Sequence, residues 1–171
     1  MSTSISSLDQ YLHERWSPDR EYVDGEIVER NLGEKTHAAR QAALGRLLST
    51  FRFSAHVRVF PELRLQTSET RFRIPDLLVI DRDSPDEEII IHAPLLCVEI
   101  LSPEDRIPRM EEKISEYFRM GVRAVWAIDP RTQTGYQCEG ASFERWKMSQ
   151  TLAVPETLIH IEMSSVIADL D

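Results

Sequence analysis

The sequence predicts an α/β fold, an α+β arrangement in which a central mixed β-sheet is flanked by helices, and three observations carry that expectation. A continuous apolar run over residues 95–101 is followed by a helical pattern over 109–120 and a second apolar run over 122–128. Strand, helix and strand at this spacing predict a right-handed crossover joining two parallel strands, and runs without polar alternation predict burial on both faces. Residues 57–66 alternate, with Val57, Val59, Pro61, Leu63 and Leu65 opposed to Arg58, Phe60, Glu62, Arg64 and Gln66. That is the pattern of a half-buried strand, and after a polar turn at 67–70 the chain returns through 72–80 as its antiparallel partner. Finally, residues 35–51 carry Ala38, Ala42, Leu44, Leu47, Leu48 and Phe51 at helical spacing, an apolar stripe that must be buried against something.

The remaining elements follow in order. Leu8, Tyr11, Leu12 and Trp16 predict a helix over 6–16; Ser7 and Gln10 suit a capping box, and Ser17-Pro18-Asp19 ends it. Asp24-Gly25 inside Glu21-Tyr-Val-Asp-Gly-Glu-Ile-Val-Glu29 is the dipeptide of a tight hairpin turn. Pro61 in a strand predicts an edge or a bulge. The acidic stretch 81–88 reads as an exposed loop. Gly121 suits a helix C-cap, and Asp129-Pro130 closes the strand that follows. Residues 133–138 return as a hairpin; the tail alternates around Leu158, Ile159 and Ile161 and ends in a short helical turn near Val166. The expectation is a single domain over 1–171, with an N-terminal helix and hairpin (6–30), a core (35–139) and a C-terminal extension (140–171).

A chain of 171 residues supports one substantial core. The sequence holds no apolar stretch near the roughly 20 residues of a membrane span. Met1 to Gln10 lacks the basic and apolar regions of a signal peptide. Two cysteines give neither a disulfide framework nor a structural zinc site, so a cytoplasmic setting is expected. The formal charge of −9 argues against non-specific nucleic-acid binding over the whole surface. It leaves room for a local basic lip, for which Arg71, Arg73, Arg106, Arg109 and Arg119 are candidates.

The chemistry centres on acids in apolar surroundings. Glu99 interrupts a central strand, where an ionised carboxylate is costly unless paired or coordinated. Asp76 follows Pro75, which steers it to extended backbone at a strand start. Two such carboxylates on adjacent strands repel, and a cation between them relieves the repulsion; an all-oxygen ligand set suits Mg²⁺ or Mn²⁺. Lys113 sits at the margin of the helical stripe Met110, Ile114, Tyr117 and Phe118, where its stem can lie on the core and its ammonium turn towards the acids. On the same wheel Glu112, Glu116 and Arg119 point outward. Glu62, on the strand beside Asp76, is a further metal-ligand candidate, and Tyr117 a site neighbour. Glu26 reads as an exposed structural acid.

Arg73-Ile-Pro-Asp76-Leu-Leu-Val, Val98-Glu99-Ile-Leu-Ser-Pro103, Glu112-Lys113 to Tyr117, and Gly121-Val122 with Trp126-Ala-Ile-Asp-Pro130 stand in the order seen in the Uma-type restriction-endonuclease family. With Tyr22-Val-Asp-Gly-Glu-Ile-Val28 and Phe60-Pro-Glu62-Leu upstream, the chain resembles that family, part of the PD-(D/E)XK nuclease superfamily, over most of its length. The resemblance implies a restriction-endonuclease-like core, with Asp76 and Glu99 as metal-binding acids and Ile100 lending its carbonyl oxygen. The superfamily lysine normally stands two residues after the second acid, which is Leu101 here, so Lys113 would serve from the helix. Arg109 stands where many relatives carry an acid. His37 matches a helix-start histidine of the family. The expected activity is metal-dependent hydrolysis of phosphodiester bonds, with DNA as partner. The competing expectations are a catalytically quiet binding or assembly module and a metal-dependent phosphatase acting on a small substrate. The exposed strand of the 57–80 hairpin allows a homodimer.

Overall fold

The computed structural model describes residues 7–31 and 33–168; the predicted helix start at Ser6 lies outside them. In chain order the elements are α1 (Leu8–His13), β1 (Glu21–Val23), β2 (Glu26–Val28), α2 (Lys35–Ser49), β3 (Val57–Pro61), β4 (Leu65–Ser68), β5 (Arg71–Arg73), β6 (Leu77–Asp81), β7 (Leu96–Ile100), α3 (Ile107–Met120), β8 (Ala124–Asp129), β9 (Thr134–Cys138), β10 (Trp146–Met148), β11 (Thr151–Ala153), β12 (His160–Glu162) and α4 (Met163–Ile167).

A six-stranded mixed sheet, ordered β10-β9-β8-β7-β6-β3, forms the centre. Its β7 and β8 are parallel, joined through α3, and its other pairs are antiparallel. Side chains leave a strand alternately to opposite faces, and the sequence uses both. Leu77, Val79, Leu96, Val98, Ile100, Ala124, Trp126 and Ile128 pack with Leu44 and Leu48 of α2, and with Leu152, Met163 and Val166 from the C-terminal extension. Leu78, Ile80, Cys97, Val125 and Ala127 pack on the other face with Met110, Ile114 and Tyr117 of α3. Parity therefore places Glu99, between Cys97 and Leu101, on the α3 face.

A four-stranded sheet, β2-β1-β5-β4, lies beside this one. Its existence corrects the single long hairpin expected over 57–80. The first run breaks at Glu62, which takes a positive φ of 50°, so β3 and β4 enter different sheets. The second breaks at Ile74-Pro75-Asp76, where Pro75 offers no N–H to a ladder. β3 still pairs with β6, and β4 with β5, in the predicted antiparallel sense. The two breaks together bring Asp76 to the seam between the sheets. Asp24 and Gly25 both have positive φ, as the predicted tight turn requires.

The other expectations fare as their local chemistry dictates. Ser7 accepts a hydrogen bond from the Gln10 N–H at 3.1 Å, but α1 stops at His13, before Trp16. Gly121, at φ 101°, ends α3 with its N–H on the Phe118 carbonyl. The tail holds β10, β11 and β12, more strand than its weak alternation indicates. Among the described residues no helix is long and apolar enough to cross a membrane.

Candidate active site

Asp76, Glu99, Ile100, Lys113 and His37 all line one cavity of about 50 Å³, room for a few waters or an ion. The two acids arrive from neighbouring strands, Asp76 from the residue before β6 and Glu99 from β7. They approach the cavity from the same side of the sheet seam rather than from opposite faces.

Asp76 is almost fully buried and takes three donors. The Ile100 N–H donates to Oδ2 at 2.7 Å; Arg30 Nη2 and His37 Nε2 each lie 3.3 Å from Oδ1. The contact with Asp76 raises the His37 pKa against the opposing effect of burial, so His37 has a cationic tendency here. The Asp76 carbonyl is pinned by Gln41 Nε2 at 2.9 Å and by the Glu62 N–H at 3.3 Å.

Glu99 receives the Tyr117 hydroxyl on Oε1 at 2.5 Å and Lys113 Nζ at 2.9 and 3.0 Å on its two oxygens. Burial pushes its carboxyl pKa up to about 7, helped by Asp76 and Glu21 and only partly countered by Lys113. The same burial keeps the Tyr117 proton on its oxygen. Lys113 has the opposite balance. Burial disfavours its charge, but Glu21, Glu99 and Asp76 together hold it above the usual lysine range, so it is a fixed ammonium and not a base.

Glu21 of β1 completes this arrangement and was not anticipated from the sequence. Its Oε1 lies 2.9 Å from Lys113 Nζ and accepts the Ile74 N–H at 3.0 Å, while Oε2 accepts from Arg73 Nη1 at 3.2 Å. Burial raises its pKa, but Lys113, Arg73 and the Ile74 N–H more than reverse this and bring it to about 2. A carboxyl lowered on folding stabilises the fold above its unfolded pKa near 4.5 and loses that contribution as pH falls towards 2. Urea unfolding at pH 6 and pH 3 should therefore show wild type losing more stability on acidification than Glu21→Gln, by roughly 2–3 kcal/mol; equal losses would contradict the assignment.

One outward placement and one basic-lip candidate are overturned. Glu116 and Arg73 are buried rather than solvated. Arg73 donates to Glu116 from Nε at 2.8 Å and Nη2 at 2.6 Å, and Glu116 also takes the Thr67 hydroxyl and Arg71. The burial cost of these charges is offset within the network, Glu116 by Arg73, Arg71 and Thr67, and Arg73 by Glu116 and Glu21, so Arg73 and Arg71 are structural ties and not a free basic lip. Arg109 does line the cavity. Glu62 does not: it is half-exposed, with Oε1 3.6 Å from Arg30 and 3.5 Å from Gln41 Nε2. Glu26 is exposed, as expected. Arg30, the cation beside Asp76, also escaped the sequence, because a charge on an irregular connection has no period to betray it.

A second acidic group lies elsewhere: ligand atoms of the exposed His56, Asp81 and Asp83 fall within 4.8 Å of one another, at the far end of β6.

The family described as "Uma2: Putative restriction endonuclease" matches residues 8–163. The chain belongs to the Uma2 family. Among solved structures, this Uma2 chain is similar to "a putative nuclease belonging to DUF820 from Anabaena variabilis ATCC 29413", with a TM-score of 0.81 and 23% identity over 96% of this chain and 99% of that one. At that identity the likeness establishes the shared mixed-sheet fold. A chain of the "DrdV-DNA complex" overlaps 74% of this Uma2 chain and 10% of its own length, at 12% identity and a TM-score of 0.40. No curated protein sequence matches the Uma2 chain.

Proposed function

We propose that this Uma2 protein is a divalent-metal-dependent endonuclease that hydrolyses phosphodiester bonds in DNA. The observation that carries the proposal is the meeting of Asp76 and Glu99 at one small cavity with the Lys113 ammonium locked against Glu99.

The residues present fit an oxygen-seeking cation. Asp76 takes three donors, and Glu99 is bonded by Tyr117 and bridged by Lys113, while a carboxylate has about four acceptor sites. Each acid thus keeps capacity for a further positive partner. The elevated pKa of Glu99 marks a carboxylate whose charge is incompletely compensated by protein groups alone. Asp76, Glu99 and the Ile100 carbonyl would hold Mg²⁺ or Mn²⁺; Glu62, half-exposed and outside the cavity lining, is not counted with them. Bound there, the ion would polarise a phosphoryl oxygen and acidify water.

The chain's own groups supply the rest. Lys113, charged throughout the working pH range, offsets negative charge growing on the phosphorus-bound oxygens. Arg30 and His37, now paired with Asp76, stand where they can receive non-bridging phosphate oxygens. Tyr117 and Glu21 hold Glu99 and Lys113 in place. We take the chain as one domain; its free, buried Cys97 and Cys138 are compatible with a reducing cytoplasmic compartment.

Calorimetric titration with Mn²⁺ tests the ion. Wild type should bind, Asp76→Ala/Glu99→Ala should not, and the wild-type affinity should rise with pH up to about 7 as the cation displaces the Glu99 proton. Equal affinities in the two proteins would defeat the proposal. Relaxation of supercoiled plasmid, set against hydrolysis of a simple phosphomonoester, separates an endonuclease from a phosphatase.

A further inference from the structure

A second cavity opens beside the acids, at the carboxyl ends of the parallel strands β7 and β8. Ligands of α/β sheets characteristically settle beyond such strand ends. Its volume is about 250 Å³, below the usual range of about 300–1,000 Å³ for drug-sized ligands and suited to one planar ring system. His37 and Ser102 line both cavities, so an occupant of the second lies directly beside whatever reaches Asp76.

The walls are chemically divided. Leu101, Pro103 and Pro130 supply apolar lining, while Glu34, Thr36 and Arg131, the last also bonded to Asp129, supply polar groups. The Glu34 side chain does not cap α2, which leaves its carboxylate uncommitted to the helix end. Apolar surface beside an acceptor and donors is the means by which proteins hold an unstacked base: the apolar groups take a ring face and the polar groups take its edge. Charge points the same way. The chain carries a formal −9, and of the basic-lip candidates Arg71 and Arg73 are bound to carboxylates, so a grip on duplex phosphates is left to Arg106, Arg109 and Arg119. Burying a base supplies affinity that does not depend on such a grip.

We infer that this cavity is a subsite for the unpaired nucleobase next to the scissile phosphate, which makes single-stranded or locally unpaired DNA the substrate class. The inference rests on the endonuclease reading for its orientation, but base capture is measurable without cleavage.

Fluorescence anisotropy of the full chain in EDTA compares three labelled probes: a mixed-sequence single strand, a strand of equal length built from abasic sugar-phosphate units, and the duplex. The first two carry the same phosphates, so their difference reports the bases. The single strand should bind about tenfold more tightly than the abasic strand, and more tightly than the duplex. Thr36→Trp, at an exposed position in the first turn of α2, fills the cavity and should bring the single-strand to abasic ratio to about one. Equal affinity for base-bearing and abasic strands overturns the inference, and so does a Thr36→Trp protein that keeps the wild-type ratio. Plasmid relaxation in Mn²⁺ reads the endonuclease proposal separately: base preference without cleavage would leave the subsite standing and remove the hydrolase.

Discussion

Asp76→Asn and Glu99→Gln should each lower the rate of plasmid relaxation by about a thousandfold or more, the scale expected when a member of a cooperating catalytic set is removed. Each change takes away one negative charge and no volume, so the loss would report on the ion and not on packing. Asparagine at 76 can still accept the Ile100 N–H, which presently bonds Asp76 Oδ2 at 2.7 Å. Glutamine at 99 can still accept the Tyr117 hydroxyl. The stability of Glu99→Gln carries its own sign. The folded-state pKa near 7 lies above the ordinary glutamate value, so metal-free wild type loses stability as pH rises from about 4.5 to 7 and Glu99 ionises inside the protein. Glu99→Gln avoids that ionisation and should be no less stable than wild type at pH 8, while being inactive. Rates within threefold of wild type for either variant would show that the acid does not serve hydrolysis.

Arg73→Ala should cost about 3–5 kcal/mol of folding stability, the range found when one member of a buried ion pair is removed. The guanidinium is only 2% exposed; it grips Glu116 with two nitrogens and Glu21 with a third. Its loss leaves two buried carboxylates short of a cation, and Glu21 in turn holds Lys113. The damage should spread across the seam between the sheets, since Arg73 belongs to β5, Glu116 to α3 and Glu21 to β1. Arg73→Lys should recover only part of the loss, because an ammonium cannot reproduce the planar three-way fork. Thermal and urea unfolding provide the measurement; a destabilisation below about 1 kcal/mol would mean the network is solvated and weak.

Local pattern made the central sheet legible. The unbroken runs at 95–101 and 122–128 announced β7 and β8, the stripe of α3 announced the crossover, and Glu99 stood out because a carboxylate in a fully apolar strand needs a partner. Partners drawn from distant segments were a different matter. Glu21, Arg30 and Glu116 are ordinary charges in sequence, and burial depends on which opposite charge the fold brings to them. The helical wheel places Glu116 outward because it counts only apolar neighbours, whereas Arg73 makes its burial tolerable. The division of 57–80 between two sheets was hidden for a related reason. Glu62 carries no glycine-like signal of its positive φ, and Pro75 reads equally as a strand start or a strand break. Parity through the break, and so the meeting of Asp76 with Glu99, became visible only with the register of β6 against β7.

Diffraction from crystals equilibrated with Mn²⁺, recorded where manganese scatters anomalously, addresses the metal centre itself. The predicted result is a peak bonded at about 2.2 Å to carboxylate oxygens of both Asp76 and Glu99. No peak there, or a peak confined to the exposed His56, Asp81 and Asp83 group, would contradict it.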